Sequence, residues 1–576
     1  MKQNKHRSSD AIYLCVVVFL FILINVRWIW LFRRGQPYDI DEAGYLGYSL
    51  MDFQGLMSDG VMGWLKAVEM PSVQAPVTTA LSSLSYMVLG PRALAGFATT
   101  IFAGVVTIIA SYFLGTSMNG RRLGLLASVL VATSPIVINY ARSYSFALPA
   151  TAVATVALLA LVRSDGFANA QWALIFGLCL GLMPLTRTMT IGFMPALVLA
   201  AVLQAVDKTE NRRRRIIVLL LSLVLAIITA ATWLVPNGSL VLQYLLDFGY
   251  GYRSAEYGAE QSLFDIGPWL LTIQYLAAYV YLPDLVLLIA GLILLIIAIG
   301  RLICTKGWWP TGRLVMRAKL FPAILFVALG VVALTSSRNR GSAFIAPLVP
   351  TMIVIAVWSL LRFGQSRNWE RVVTSFTILI AIISCVPLLD LTLTVARPWT
   401  VRVPVLGPTI VTDGRGAIQK YEAGGGYSSD NPVMPVDSST GQEWMQASEM
   451  TARRLNEVAS GNVVTAFGLR GYLYNTNTVN LAQLLSGGSQ FFLTAIATEV
   501  TRESSDGYAQ WLTRGDAAAA CFLLTAPENI GAMHPVVNQE HMEAAARTAG
   551  FSPVDQWSLP DGRVVTMWRR QSKCPS

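Results

Sequence analysis

Three carboxylates crowd one short stretch, Pro37-Tyr38-Asp39-Ile40-Asp41-Glu42-Ala43-Gly44-Tyr45, directly behind a hydrophobic run at the start of the chain. Acids at a membrane surface are costly unless water or a site holds them. A carboxylate facing a membrane-embedded cavity can take the proton of an attacking hydroxyl, which makes Asp41 the candidate general base, with Glu42 beside it. On a helix Asp39 and Glu42 share a face, and Asp41 turns elsewhere. The same residues also suit a helix start, because an aspartate cap and first-turn acids complement the helix dipole. The two roles are compatible. A fourth acid, Glu69, stands before Met70-Pro71. It is a candidate to share a substrate hydroxyl or a metal with the first cluster, or else a solvated loop acid. With three histidines and no HExxH or Cys-rich cluster, a tight histidine zinc site is excluded, whereas a divalent cation held by carboxylates is compatible with these residues.

A second set of groups is cationic: Arg142 with Tyr144, Arg187, Arg338 and Arg340. A phosphate leaving group needs fixed positive charge, and the arginine fork matches phosphate oxygens. Each arginine has a plainer role as a headgroup anchor that snorkels to the interface. Thr186-Arg187 is the most telling, because it ends an otherwise apolar stretch where an unpaired charge is expensive. The run Arg212–Arg215 reads as membrane topology. No Walker sequence and no GxSxG elbow occurs.

The elements that must position these groups are membrane helices. The chain has 576 residues, 54% hydrophobic and only 13% charged, against about 25% charged for soluble domains. Apolar windows predict eleven spans, at 11–32, 93–116, 122–140, 146–163, 171–186, 189–206, 216–236, 282–301, 320–336, 343–361 and 372–391. The net charge is +10, but the bases sit in short loops between spans, which excludes nucleic-acid binding. Loops on the side of the N-terminal tail carry about twice the bases of the other side, so the N-terminus is assigned to the cytoplasm. Arg27-Trp28-Ile29-Trp30 follows the first span where a cleavage site would need small residues, so that span reads as an uncleaved anchor.

Two outward segments are long, 33–92 and 237–281; the first contains the amphipathic stretch Val61–Val68, expected along the membrane surface. After about Leu391 the composition turns polar. Residues 392–576 are expected to form a soluble extracytoplasmic α/β domain, with helices at Gln442–Ala459 and His541–Ala549. Buried strands are expected at 462–467 and 520–525, and a hairpin turn at Leu559–Arg563. Residues 1–391 form the all-α polytopic membrane domain. Only Cys521 and Cys574 are placed to meet outside the membrane, as a candidate disulfide.

In order and sidedness, these residues resemble the polytopic GT-C glycosyltransferases that use polyprenyl-phosphate sugars, closest to the protein O-mannosyltransferase and lipid A aminoarabinose transferase branches. Asp41-Glu42 looks like their Asp-Glu pair in the first outer loop. Glu69-Met70-Pro71, or less well Gln74-Ala75-Pro76, is similar to a later Glu-Lys-Pro-Pro element, and Leu89-Gly90 to the Phe-Gly after it. Ser134-Pro135 and Ala141-Arg142-Ser143-Tyr144 look like the second outer loop. Gly177 to Thr186-Arg187 resembles the Gly-rich span ending in Thr-Lys, and Arg340 to Pro350 the late arginine-to-proline stretch. The chain departs from the pattern at the lysine beside the loop glutamate, at an aspartate of the second loop, and by arginine after Thr186. The likeness covers roughly residues 11–390.

The resemblance implies an inverting membrane glycosyltransferase of the outer face of a bacterial inner membrane. The sugar would pass from a polyprenyl-phosphate donor to a cell-envelope glycan, lipid or protein. Asp41 would be the base and Glu42 its partner, while Asp39, Glu69, Arg142, Tyr144, Arg187, Arg338 and Arg340 would contact substrate. The alternative is a transporter or flippase of lipid-linked sugars, for which the sequence offers neither internal repeats nor clear mid-membrane breaks.

Overall fold

A run of apolar residues long enough to cross a bilayer has no water to bond its backbone and must coil into helix. The computed structural model describes residues 2–207, 210–251, 253–254, 262–339, 342–364, 366–389, 399–412, 438–458, 463–488, 491–496, 505–527 and 536–571. Among these, seven helices are long and apolar enough to cross a membrane, or up to nine if each of two sharply bent pairs is one span. The chain is a polytopic membrane protein with a smaller β-containing domain toward its C-terminus. It divides into two units. The first comprises Met1–Trp28, Val68–Leu81 and Phe97–Lys420; the second comprises Ile29–Ala67, Ser82–Gly96 and Tyr421–Ser576.

Most expected spans have a helix: α1 (Lys2–Trp28), then, after α2 (Ile40–Val68) and α3 (Pro76–Leu89), α4 (Ala93–Asn119). The third span is broken into α5 (Arg121–Thr133) and α6 (Pro135–Ala141), bent by 55° at Ser134. Pro135 opens α6 where its missing N–H costs nothing. Next come α7 (Ala147–Arg163) and α8 (Ala170–Thr186), each 17 residues long, then α9 (Met194–Asp207) and α10 (Arg212–Gly249). Of the four arginines that open α10, Arg215 does more than set topology: it is buried and donates to the carbonyls of Asp165 and Gly166.

The outward segment expected at 237–281 is shorter in the structure. Helix α10 continues for 38 residues to Gly249, and α11 (Ile266–Lys306) begins well before its apolar run. Polar and aromatic residues end the hydropathy there without ending the helix. Helix α11 breaks at Tyr281, whose φ is 63°, just ahead of Pro283. After α12 (Trp308–Arg317) the chain turns by 99° into α13 (Phe321–Ser336); α14 (Val349–Phe363) and α15 (Arg367–Leu389) complete the bundle. Ile227, Val235 and Ile296 are exposed on α10 and α11, as helix faces solvated by lipid should be. A hairpin not foreseen in the sequence, β1 (Trp399–Val403) with β2 (Gly407–Thr412), belongs to this unit. Gln274 of α11 donates to the Val405 carbonyl at 2.9 Å.

Gly177 and Gly181 let α8 press against α10. A Cβ on Gly177 would stand 2.1 Å from the Ser222 carbonyl oxygen, and one on Gly181 2.5 Å from that of Ala226. Small residues four apart are the usual device for close helix approach in lipid. The Gly-rich span thereby fixes the helix whose end carries Arg187.

In the second unit, the described strands form one five-stranded sheet in the order β4 (Phe492–Ala495), β3 (Val464–Phe467), β5 (Ala520–Thr525), β7 (Val564–Arg570), β6 (Phe551–Ser558). Strands β4, β3 and β5 run parallel, while β5, β7 and β6 are antiparallel. The register shifts between Pro553 and Asp555, where proline lacks a donor for the ladder. The helices are α16 (Ser438–Val458), α17 (Thr476–Leu485), α18 (Ser505–Arg514) and α19 (Gln539–Thr548). The core is built on Phe467, Leu524, Val565, Met567 and Trp568, all buried. Cys521 is disulfide-bonded, and Cys574, its expected partner, lies outside the described residues; Cys15, Cys179, Cys304 and Cys385 are free.

Candidate active site

The acidic cluster lies at the start of α2, and its three carboxylates are held differently. The Asp39 Oδ1 atom accepts the Glu42 amide at 2.7 Å, capping the helix. Glu42 is 1% exposed and forms an ion pair with Arg33, itself 3% exposed. Arg33 also donates to the Pro37 carbonyl at 3.0 Å and lies 4.9 Å from the Tyr38 ring centre. Burial pushes the Tyr38 hydroxyl up to about 12, with Arg33 opposing the shift and Glu42 adding to it. Asp41, one step round the helix, is exposed. Two of the acids therefore build the helix start, and the third faces out.

Residues distant in sequence complete this corner of the second unit. Asn477, at the start of α17, donates to the Ile40 carbonyl at 2.8 Å. Gly44 makes room for it, since a Cβ there would lie 2.8 Å from the Asn477 amide nitrogen. Further along α2, Gln54 donates to the Gly488 carbonyl at 3.1 Å. Just before α17 the chain runs through Arg470-Gly471-Tyr472. Burial raises the Tyr472 hydroxyl above its ordinary range; the Arg470 cation opposes this, and the Asp39 and Asp41 carboxylates add to it. Sequence reasoning missed Arg470 and Tyr472, because no local pattern links a loop of the C-terminal region to a helix more than 400 residues earlier.

The other candidates lie in the first unit. Arg142 caps the C-terminus of α6 and is 0% exposed. Its Nε donates to the Asn25 side chain at 2.9 Å, and its guanidinium lies 4.7 Å from the Trp28 ring centre. Tyr144 is equally buried, against Phe97. Both side chains are enclosed by protein rather than by headgroups. Arg187 ends α8 with extended backbone, half-buried, and lies 4.5 Å from the Phe344 ring centre. The Arg338 amide donates to the Gly249 carbonyl at 3.1 Å, and the Ser336 and Tyr250 hydroxyls are 2.9 Å apart. The ends of α10 and α13 therefore meet beside Arg338, while the end of α8 packs on α10 near Trp233 and carries Arg187 against Phe344.

Glu69 is exposed in the turn before α3. That turn is tied to α10 by the Ser72 amide, which donates to the Asn237 side chain at 3.1 Å, and Val77 packs on Leu185, Trp233 and Val241. Arg340 lies outside the described residues. Among the described residues no three His, Cys, Asp or Glu side chains group as metal ligands. Asp39 is the cap and Glu42 is ion-paired, which leaves Asp41 and Glu69 as the exposed carboxylates among the four candidates.

A family model described as dolichyl-phosphate-mannose-protein mannosyltransferase matches residues 73–235. No curated protein matches the sequence significantly. Among solved structures, ArnT from Cupriavidus metallidurans bound to undecaprenyl phosphate superposes with a TM-score of 0.51 at 14% identity, covering 96% of this chain and 97% of that one. The oligosaccharyltransferase AglB from Archaeoglobus fulgidus, in complex with an inhibitory peptide and a dolichol-phosphate, gives 0.50 at 11% identity, covering 97% and 74%. At these identities the likeness is one of architecture. The family-model match covers residues 73–235 alone, less than a third of the chain.

Proposed function

We propose that this membrane protein transfers a sugar from a polyprenyl-phosphate donor to a hydroxyl of a cell-envelope glycan, lipid or protein, on the outer face of a bacterial inner membrane. The acceptor oxygen attacks the anomeric carbon with inversion. The carbon–oxygen bond to phosphate breaks, its electron pair leaves with the polyprenyl phosphate, and Asp41 takes the acceptor proton. Arg187, Arg338 and Arg340 are assigned to the charge that develops on the leaving phosphate. Asp39 and Glu42 hold the start of α2 so that Asp41 stays presented. Arg142 and Tyr144 are assigned to support these groups from within the bundle. Glu69 is assigned to the acceptor.

One observation carries the reading: in a GT-C architecture, the exposed member of the acidic trio is Asp41, while its neighbours are committed to a cap and a buried ion pair. The test is Asp41→Asn in the full chain, with radiolabelled polyprenyl-phosphate sugar and envelope membranes as acceptor. Loss of a positioned base is expected to cost about 10²–10⁴ in rate. Transfer at the wild-type rate, at equal expression, would exclude Asp41 as the base.

A carrier of lipid-linked sugar is the second reading. It is favoured by the helix breaks at Ser134 and Tyr281 beside the buried Asp284, because transporters place irregular backbone and polar groups at such breaks. Movement of the lipid-linked sugar across vesicles, without any new glycosidic bond, would select it.

A further inference from the structure

Three places hold chemistry that the mechanism leaves unused. They are the polar cluster at the breaks of the bundle, the amphipathic helix α12, and the loop Arg470-Gly471-Tyr472 beside the acidic cluster. The loop carries an inference furthest. It is a built feature: the Asn475 side chain donates to the carbonyls of Gly471 and Tyr472, both at 3.1 Å. The same side chain caps α17 by accepting the amides of Asn477 and Thr478. Gly471 is held so closely that a Cβ would lie 2.9 Å from the Tyr474 carbonyl oxygen. Tyr474 is buried and shares a hydrogen bond with Thr451. The loop is fixed from behind by the domain core, and Asn477 then binds it to the backbone of α2 one residue before Asp41.

Tyr472 and Arg470 are only partly buried, so both side chains keep surface for a ligand. An aromatic ring with a phenol, a guanidinium and a carboxylate is the combination that binds a polyol. The ring covers a sugar's C–H face, and the charged groups hold its hydroxyls. A fixed loop delivers such contacts at low entropic cost.

We propose that Arg470 and Tyr472 form the acceptor subsite of the reaction, binding a hydroxyl-rich glycan ring so that one of its hydroxyls meets Asp41. This rests on the transferase reading and specifies the acceptor as a carbohydrate rather than a lipid amine or a peptide backbone. Neither residue touches the departing phosphate in this scheme. Their loss weakens acceptor binding and leaves donor binding intact.

The experiment uses the full chain in nanodiscs and two probes. Octyl glycosides of mannose, arabinose and glucose, followed by saturation-transfer NMR, report on the subsite. Decaprenyl phosphate, followed by native mass spectrometry, reports on the donor lipid. Wild type is expected to bind at least one glycoside. Tyr472→Ala and Arg470→Gln are each expected to weaken that binding about tenfold, equivalent to about 1.4 kcal/mol, with decaprenyl phosphate bound as before. Tyr474→Phe, which removes the buried hydroxyl bonded to Thr451 and Trp557 behind the loop, serves as a folding control and binds like wild type. Equal glycoside affinity in wild type and both variants overturns the proposal, as does a wild type that binds none of the three glycosides. Glycoside binding that depends on Tyr472, without any decaprenyl phosphate binding, supports the subsite and counts against the transferase reading alone.

Discussion

The ion pair between Arg33 and Glu42 offers a quantitative test of how the acidic cluster is organised. Both side chains are almost fully buried, at 3% and 1% exposure, so removal of either takes this counter-charge from the other, away from water. In Arg33→Met the apolar stem is retained while Glu42 loses its cation. In Glu42→Leu the guanidinium keeps the Pro37 carbonyl and the Tyr38 ring but loses the Glu42 carboxylate. Breaking a buried pair from one side costs about 3–5 kcal/mol, whereas replacing both partners by apolar groups of similar volume is often neutral. The double variant is therefore expected to be more stable than either single one. The coupling should reach about 2 kcal/mol or more, in the upper part of the range for contacting residues. Pulse proteolysis of the full chain in detergent across a urea series measures the three losses. If they add, so that the double variant loses the sum of the two singles, the pair is not a desolvated unit. The assignment of Glu42 to structure rather than chemistry then fails with it.

Two further outcomes follow from the same structure. Gly177→Val should separate α8 from α10, because its Cβ alone would meet the Ser222 carbonyl at 2.1 Å; a loss of about 1–3 kcal/mol or more is expected for overpacking. Falling yield of folded protein by size-exclusion chromatography reads it, and wild-type behaviour would show that the contact is loose. Tyr38 gives a pH signature. Its hydroxyl is raised from 10.0 to about 12 by burial, with Arg33 and Glu42 as the charged neighbours. The resulting stabilisation is fully present below about pH 10 and is lost as pH rises toward 12. At about 1.36 kcal/mol per unit it amounts to the order of 2–3 kcal/mol. Urea midpoints at pH 9 and 12 should differ less in Tyr38→Phe than in the wild type, and an unchanged alkaline loss in that variant would refute the assignment.

The sequence by itself determined the membrane bundle, because apolar runs in lipid admit only helix. It also determined the face shared by Asp39 and Glu42, because helical spacing is a local rule. The same locality made the elements at Ser438–Val458, Ala520–Thr525 and Gln539–Thr548 legible. It could not show that α10 would outrun its apolar stretch, or that residues 399–412 would pair as a hairpin, since neither depends on hydropathy. Nor could it say which acid would stay exposed. Asp39, Asp41 and Glu42 are chemically alike. What separates them is Arg33 folding back onto Glu42, and a loop more than 400 residues away bringing Arg470, Tyr472 and Asn477 to the start of α2. Local periodicity fixes which side a residue points to, but only tertiary packing fixes what it meets there, and the meeting partner decides whether a carboxylate caps, pairs or reacts.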